Sequence, residues 1–511
     1  MSDVRRKISL FLLLLLFTMT AAAQDAMIRR GCRVGTPRPE GMALRRGAPG
    51  GQPKQVGGDF YHGERRQLTV LVEFNDRAFK GDETATIAQW DKIFNTENLT
   101  EAPFKGSVHD YFLDQSYGDF SVFFDLVYVK VSGNAEKYAS TQADDENSQY
   151  LVQDIMEVLK NRNIDWTIYD WNGDGFINQL LIIYAGHGMN DYSGNNLIWP
   201  HQWWMSEHLI NRQPGVYCDP IPVTNGDKEY KVDCYCALAE LTKNDDYGSF
   251  GTICHEYTHC FGFPDFYFRS SGYVRYWDLM DSGNYNGNGY RPASYSAHER
   301  WLMQWLTPVE LTEAASIKEM PALADKPTAY LIRNDGFENE YYIVENRQKT
   351  SWDTSLPSSG ILVFHVDYDP SIWTSVVEPP NHPAFKDDDT GISYPARERY
   401  VLFHANNSTS YSGWAYPYQT NNQLTNTSSP AATLWNATSD ETKLMNKPLT
   451  QLKVTNSLAA FDFMGGATSL TSVISSSTDA PQVVYDLQGR CVQTPSKPGL
   501  YIVNGRKVVI R

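Results

Sequence analysis

Ile253-Cys254-His255-Glu256-Tyr257-Thr258-His259-Cys260-Phe261-Gly262-Phe263-Pro264-Asp265 decides the reading of this chain. The stretch predicts a helix from near Ser249 to Gly262, and positions four apart on a helix share a face. His255 and His259 therefore offer two imidazoles to one metal ion, at the spacing used for zinc. Glu256 stands beside the first of them, where a carboxylate can serve as general base toward a water at the metal. A catalytic zinc takes three protein ligands and leaves a fourth position open. Gly262 can adopt the left-handed conformation that ends a helix and swings the chain back. Asp265 is then the natural third ligand. Two ordinary histidines on a helix are the plain alternative. The glycine and carboxylate that follow weigh against it, as does Trp277-Asp278-Leu279-Met280-Asp281 further on.

In this order of residues the segment resembles the immune-inhibitor-A-like (M6) family of secreted bacterial metallopeptidases, within the metzincin group of zincins. His255, Glu256, His259, Gly262, Asp265 and Met280 follow H-E-x-x-H-x-x-G-x-x-H/D and the methionine turn of that group. Gly118-Asp119-Phe120, Asp170 to Gly175, Tyr184-Ala185-Gly186, Ile198-Trp199-Pro200-His201 and Asn284-Tyr285-Asn286-Gly287-Asn288-Gly289 extend the likeness over about Leu68 to Leu306. The resemblance implies an α/β metzincin-like zincin catalytic domain with Zn2+ as cofactor. Met280 would form an apolar floor without coordinating. Tyr285 would assist the oxyanion, although it stands further from Met280 than is usual in the group.

The N-terminus reads as a secretory signal peptide over 1–23. Arg5, Arg6 and Lys7 precede an apolar run from Ile8 to Phe17, and Ala21-Ala22-Ala23 supplies small residues for cleavage. The run is too short for a resident membrane helix, and no other stretch is a candidate, so the mature chain should be exported without a transmembrane segment. Removing 1–23 takes away three cations and Asp3, which shifts the formal charge from -16 to -18. An acidic surface argues against nucleic acid and anionic membrane as partners. The seven cysteines are an odd number, so at least one thiol is left over. Cys218 could pair with Cys234 or Cys236, whereas Cys254 and Cys260 read as small buried hydrophobes. Cys32 lies in an Arg- and Gly-rich stretch, where a thiolate could close the open zinc position as a latency switch; an incidental or lipid-modified cysteine is the alternative.

The chain divides on paper at composition shifts. Residues 24–66 are rich in Gly, Pro and Arg and read as a pro-segment or extension. Residues 67–307 alternate strand and helix patterns: Leu68 to Phe74 is a strand, Ser107 caps a helix carrying Val108, Tyr111 and Phe112, and Leu180 to Tyr184 is a strand buried on both faces. Short strands at Ala329 to Ile332, Tyr341 to Val344 and Gly360 to Phe364 make 308–465 a β-rich, sandwich-like accessory region, a buttress more than a substrate-binding module. Residues 466–482 form a Ser/Thr-rich linker. The segment 483–511, with Tyr485-Asp486, Gly489-Arg490, Pro498-Gly499 and a basic end, resembles the small β sorting tails of type IX secretion cargo, which implies secretion machinery as a partner. A plain terminal β-hairpin is its alternative.

Asp170, Asn172 and Asp174 alternate oxygen donors before Gly175, the opening of a calcium loop, with Asn178 in place of a distal glutamate. His187 and His201 could line a cleft or be structural. Taken together, the sequence predicts a secreted zinc endopeptidase acting on protein or peptide substrates, with Ca2+ as a second ion. A surface adhesin or protein-binding module on an inactive protease fold is the competing expectation, and a narrow peptidase for glycosylated mucin proteins is a third.

Overall fold

The computed structural model describes residues 56–466 apart from 59, 140–146, 191, 193–196, 211–215, 249, 269–270, 375–377 and 387–391, together with the backbone of four short strands between 484 and 510. Residues 1–23, Cys32 and the linker beyond 466 lie outside what it describes.

Five strands form the first sheet: β1 (Gly63–Glu73), β2 (Phe120–Lys130), β3 (Leu180–His187), β4 (His201–Trp204) and β5 (Cys234–Leu241). Their order is β2-β1-β3-β5-β4, parallel except for β4, which runs antiparallel along one edge. Parallel neighbours need long crossovers, and helices lie in those from β1 to β2 and from β2 to β3. α1 (Glu83–Asn95) and α2 (Val108–Gln115) lie between β1 and β2, and α3 (Ser148–Leu159) lies between β2 and β3. The start of α2 is set by Ser107, whose hydroxyl accepts from the Asp110 amide while the Asp110 carboxylate accepts from the Ser107 amide. Val108, Tyr111 and Phe112 are buried on its inner face. From Leu180 to Gly186 every residue of β3 is buried, as a strand covered on both faces requires. α4 (Phe250–Cys260) is buried along its whole length, against β4 and β5 on one side and the 282–289 segment on another.

Two sequence expectations need correction. β1 begins at Gly63, inside the stretch 24–66 that composition marks as an extension. Val56 and Tyr61 are buried, the Gly57 amide donates to the Phe261 carbonyl (2.9 Å), and the Tyr61 hydroxyl donates to the Cys260 carbonyl (3.3 Å). Gly57 and Tyr61 therefore tie the chain to the end of α4, and residues 63–66 are held by pairing with β2, features that leave no apolar periodicity to read. The second correction concerns the cysteines. Cys218, Cys234, Cys236, Cys254 and Cys260 are all free and buried, so Cys218 has neither expected partner. Cys234 and Cys236 instead face Cys260 of α4, and burial pushes the thiols up. They fill core space as small hydrophobes.

From residue 308 onward two larger sheets follow, beside two two-stranded ribbons within 381–398. β6 (Val309–Glu310), β8 (Tyr330–Asn334), β9 (Phe337–Arg347), β10 (Gly360–Asp367) and β11 (Tyr400–Leu402) form a five-stranded sheet in that order. β7 (Ala315–Met320), β13 (Leu458–Phe463) and β12 (Leu449–Thr455) form a three-stranded one. Side chains alternate across a strand, and β9 and β10 put both sets to use. Tyr342, Val344, Ile361 and Val363 pack with Leu449, Leu452, Phe461 and Phe463 between the two sheets. Tyr341, Ile343, Leu362 and Phe364 belong to the same apolar core as the first sheet and α4. The continuous apolar runs of β9 and β10 thus reflect a sheet buried on both sides. Glu345, Arg347 and Asp353 form a buried ion triad at this junction, with Asp353 accepting from the Ser294 amide and Glu345 from the Ala297 amide.

At the C-terminus Cys491–Val492, Val484–Tyr485, Gly499–Val503 and Arg506–Ile510 make, in that order, a four-stranded antiparallel sheet.

Candidate metal centre

α4 places His255 and His259 one turn apart on one face, with ring centroids 4.8 Å apart. The helix stops at Cys260, and Gly262 follows with φ 93°, a left-handed conformation that a residue with a Cβ rarely adopts. The chain turns there and returns Asp265 to the imidazoles. Asp265 Oδ1 lies 3.1 Å from His255 Nε2 and 3.3 Å from His259 Nε2. The three ligand atoms all lie within 4.8 Å of one another, and this is the one group of its kind among the described residues.

The far nitrogen of each ring is spoken for. His255 Nδ1 donates to the Leu279 carbonyl (2.8 Å) and His259 Nδ1 to the Phe263 carbonyl (2.7 Å). A carbonyl only accepts, so Nδ1 carries a proton, and whenever the ring is neutral its Nε2 lone pair faces inward. Two nitrogen lone pairs and a carboxylate oxygen then meet in a buried space, and none of the three atoms has a hydrogen-bond partner of proper geometry. Such a set requires a positive charge at its centre. Burial works against an imidazolium at His255, but Asp265 and the charge of Glu256 outweigh it and hold the pKa at about 9. Burial likewise works against the Asp265 carboxylate, yet the two histidines keep it below its usual range. Two imidazoles and one carboxylate are the donor set of a tetrahedral zinc site with one position open, so the residues present fit zinc.

Glu256 is buried beside these groups, and Met280 is fully buried in the turn that follows. The Phe266 amide donates to the Met280 carbonyl (2.8 Å), tying the strand of chain after Asp265 to that turn. Tyr285 is half-buried in the 282–289 segment that packs on α4. In the Asp170 loop the side-chain oxygens are engaged by the loop's own amides. Asp170 accepts from the amides of Asp174 and Gly175 (3.1 Å each), Asp174 Oδ1 from that of Phe176 (2.9 Å), and Asn178 from that of Trp171 (2.6 Å). Asn172 donates its side-chain amide to Asp174 (3.1 Å).

His187 and His201 are not in the cluster. His187 bonds the Thr242 carbonyl (3.0 Å), pairs with Asp245 (3.2 Å) and stacks on Tyr192. His201 is buried on β4, donating to the Trp199 carbonyl (2.6 Å) and meeting the Tyr235 hydroxyl (3.1 Å); burial drops its pKa to about 4. Sequence reasoning missed the two carbonyls that orient the histidines, since backbone carries no residue signal.

A search of curated proteins finds no match to this chain. Among the described residues no helix is long and apolar enough to cross a membrane. Residues 61–307 match the family model described as immune inhibitor A peptidase M6, catalytic domain, and this match makes the chain a metallopeptidase, a hydrolase acting on peptide bonds.

Proposed function

We propose that the chain is a secreted, metzincin-type zinc endopeptidase in which His255, His259 and Asp265 hold the metal and Glu256 is the general base. The convergence of three buried donor atoms on one point carries this reading. Zinc, when bound, supplies Lewis acidity that acidifies a water and polarises the scissile carbonyl. Glu256 then takes a proton from the attacking water and delivers it to the leaving amine. The carbonyls of Leu279 and Phe263 keep both rings in the ligating tautomer. Met280 closes the floor with apolar surface, and Tyr285 is assigned to the oxyanion. The outer edge of β4 has no strand partner in the sheet among the described residues, and α4 packs beside it. An extended substrate segment can add to such an edge through its own backbone.

The same reading extends to calcium in the Asp170 loop, export through residues 1–23, latency through Cys32, and a sorting role for 483–511. The organisation into 67–307, 308–465 and a linker at 466–482 belongs to it as well, with the first boundary moved back to include 56–66. Purified mature chain should hydrolyse casein or gelatin and lose that activity to a chelator. Asp265→Ala should lose zinc as well as activity. An inert wild-type chain that keeps its metal would favour the adhesin reading instead, and full zinc occupancy in Asp265→Ala would remove Asp265 from the ligand set.

A further inference from the structure

The β-rich region reaches the metal centre through two buried side chains. Tyr400, at the start of β11, points its hydroxyl at Asp278 Oδ2 (2.9 Å) and at Ser296 Oγ (2.7 Å). The other oxygen of Asp278 accepts from the Met280 amide (2.8 Å). Between these two residues lies Leu279, whose carbonyl takes the Nδ1 proton of His255 (2.8 Å). Tyr400 thus fixes the short turn that aims one proposed ligand.

Asn381 completes the clamp from the other side. Its side-chain amide donates to the Phe266 carbonyl (2.9 Å) and to the Tyr400 carbonyl (2.7 Å), and its oxygen accepts from the Tyr400 amide (2.9 Å). Phe266 directly follows Asp265, and its ring packs on that of Tyr400 with centroids 4.1 Å apart. Asn381, Tyr400 and Asp278 are all wholly buried. The two backbone segments that carry Asp265 and orient His255 are therefore joined to each other through Phe266 and Met280, and both are joined to one Asn381–Tyr400 unit.

We propose that Tyr400 and Asn381 are positioning residues for the metal centre, so that the β-rich region completes a site whose ligands all lie in the preceding α/β part. The proposal rests on the ligand reading given above. Groups that hold metal ligands from behind are commonly worth about 10–100-fold in metal affinity or activity.

The test uses the full mature chain. Tyr400→Phe keeps the ring that packs on Phe266 and removes only the hydroxyl. Asn381→Leu keeps approximate volume and removes the three hydrogen bonds. Tyr342→Phe is the control, because its hydroxyl donates to the Thr433 carbonyl (2.6 Å) on the opposite face of the same sheet. Zinc affinity is measured by competition with a chromophoric chelator, and site geometry by the visible ligand-field bands of the cobalt(II)-substituted protein. Tyr400→Phe and Asn381→Leu should each lose affinity by about 10–100-fold, shift the cobalt bands and lower kcat more than they raise KM. Tyr342→Phe should leave all three unchanged, whatever it does to the melting temperature. Wild-type affinity and an unshifted cobalt spectrum in Tyr400→Phe would overturn the proposal. Should Asn381→Leu fail to fold, Tyr400→Phe decides alone. Asp265→Ala separates the two layers: zinc lost there but kept in Tyr400→Phe defeats the positioning role only, whereas zinc kept in Asp265→Ala defeats the ligand reading and the clamp with it.

Discussion

Glu256 is the one acid–base group of the motif that the metal does not need as a ligand. Glu256→Gln should keep stoichiometric zinc and lose activity by roughly 10²–10⁴-fold or more, the contribution of a positioned general base. Metal analysis paired with kinetics checks it, and near-wild-type turnover in a zinc-loaded variant would exclude the role. A second expectation follows from His255. Without metal its pKa is raised to about 9, so the ring holds a proton across the neutral range. Zinc must displace that proton, and apparent zinc affinity should climb about tenfold per pH unit up to about pH 9. Calorimetry in buffers of different ionisation enthalpy would count the proton, and pH-independent affinity would contradict it. At this scale the proposed site was legible because its donors are local. His255, Glu256, His259, Gly262 and Asp265 are spaced by the geometry of one helix and one turn. What holds them was not legible, since the Leu279 and Phe263 carbonyls are backbone and Tyr400 arrives by tertiary packing.

Among the elements, α4 shows how little room the fold leaves. A Cβ on Gly251 would sit 1.9 Å from the Asn284 carbonyl oxygen, a backbone atom that no rotamer change can move. Gly251→Ala should therefore force α4 and the 282–289 segment apart, at a cost of at least about 1–3 kcal/mol. The displaced helix should also release zinc more readily. Thermal melts of metal-free and zinc-loaded protein would separate the two effects, and an unchanged melting temperature would mean the segment yields. The helix itself was readable to within about two residues, as was the start of α2, because caps and glycine stops are written locally. The reach of β1 back to Gly63 was not, since its first residues are exposed and polar and are held by pairing with β2.

For the molecule as a whole, the boundary near residue 307 marks a change of pattern without a gap in packing. Arg347, fully buried, bonds Asp353 through two nitrogens and Glu345 through a third. Arg347→Ala would strand two carboxylates in the interior and should destabilise the protein by ~3–5 kcal/mol. Denaturant unfolding measures this, and a loss below ~1 kcal/mol would show that water reaches the junction. The β-rich character of 308–465 was visible in its short apolar runs. Its second buried face was not, because a run such as Ile361 to Phe364 reads alike whether its partner is its own sheet or a neighbour's. That shared face also orders events in time. Translation delivers the histidines of α4 well before Asn381 and Tyr400. A nascent chain paused between them would display the hydrolytic motif without the side chains that clamp the turn beneath it.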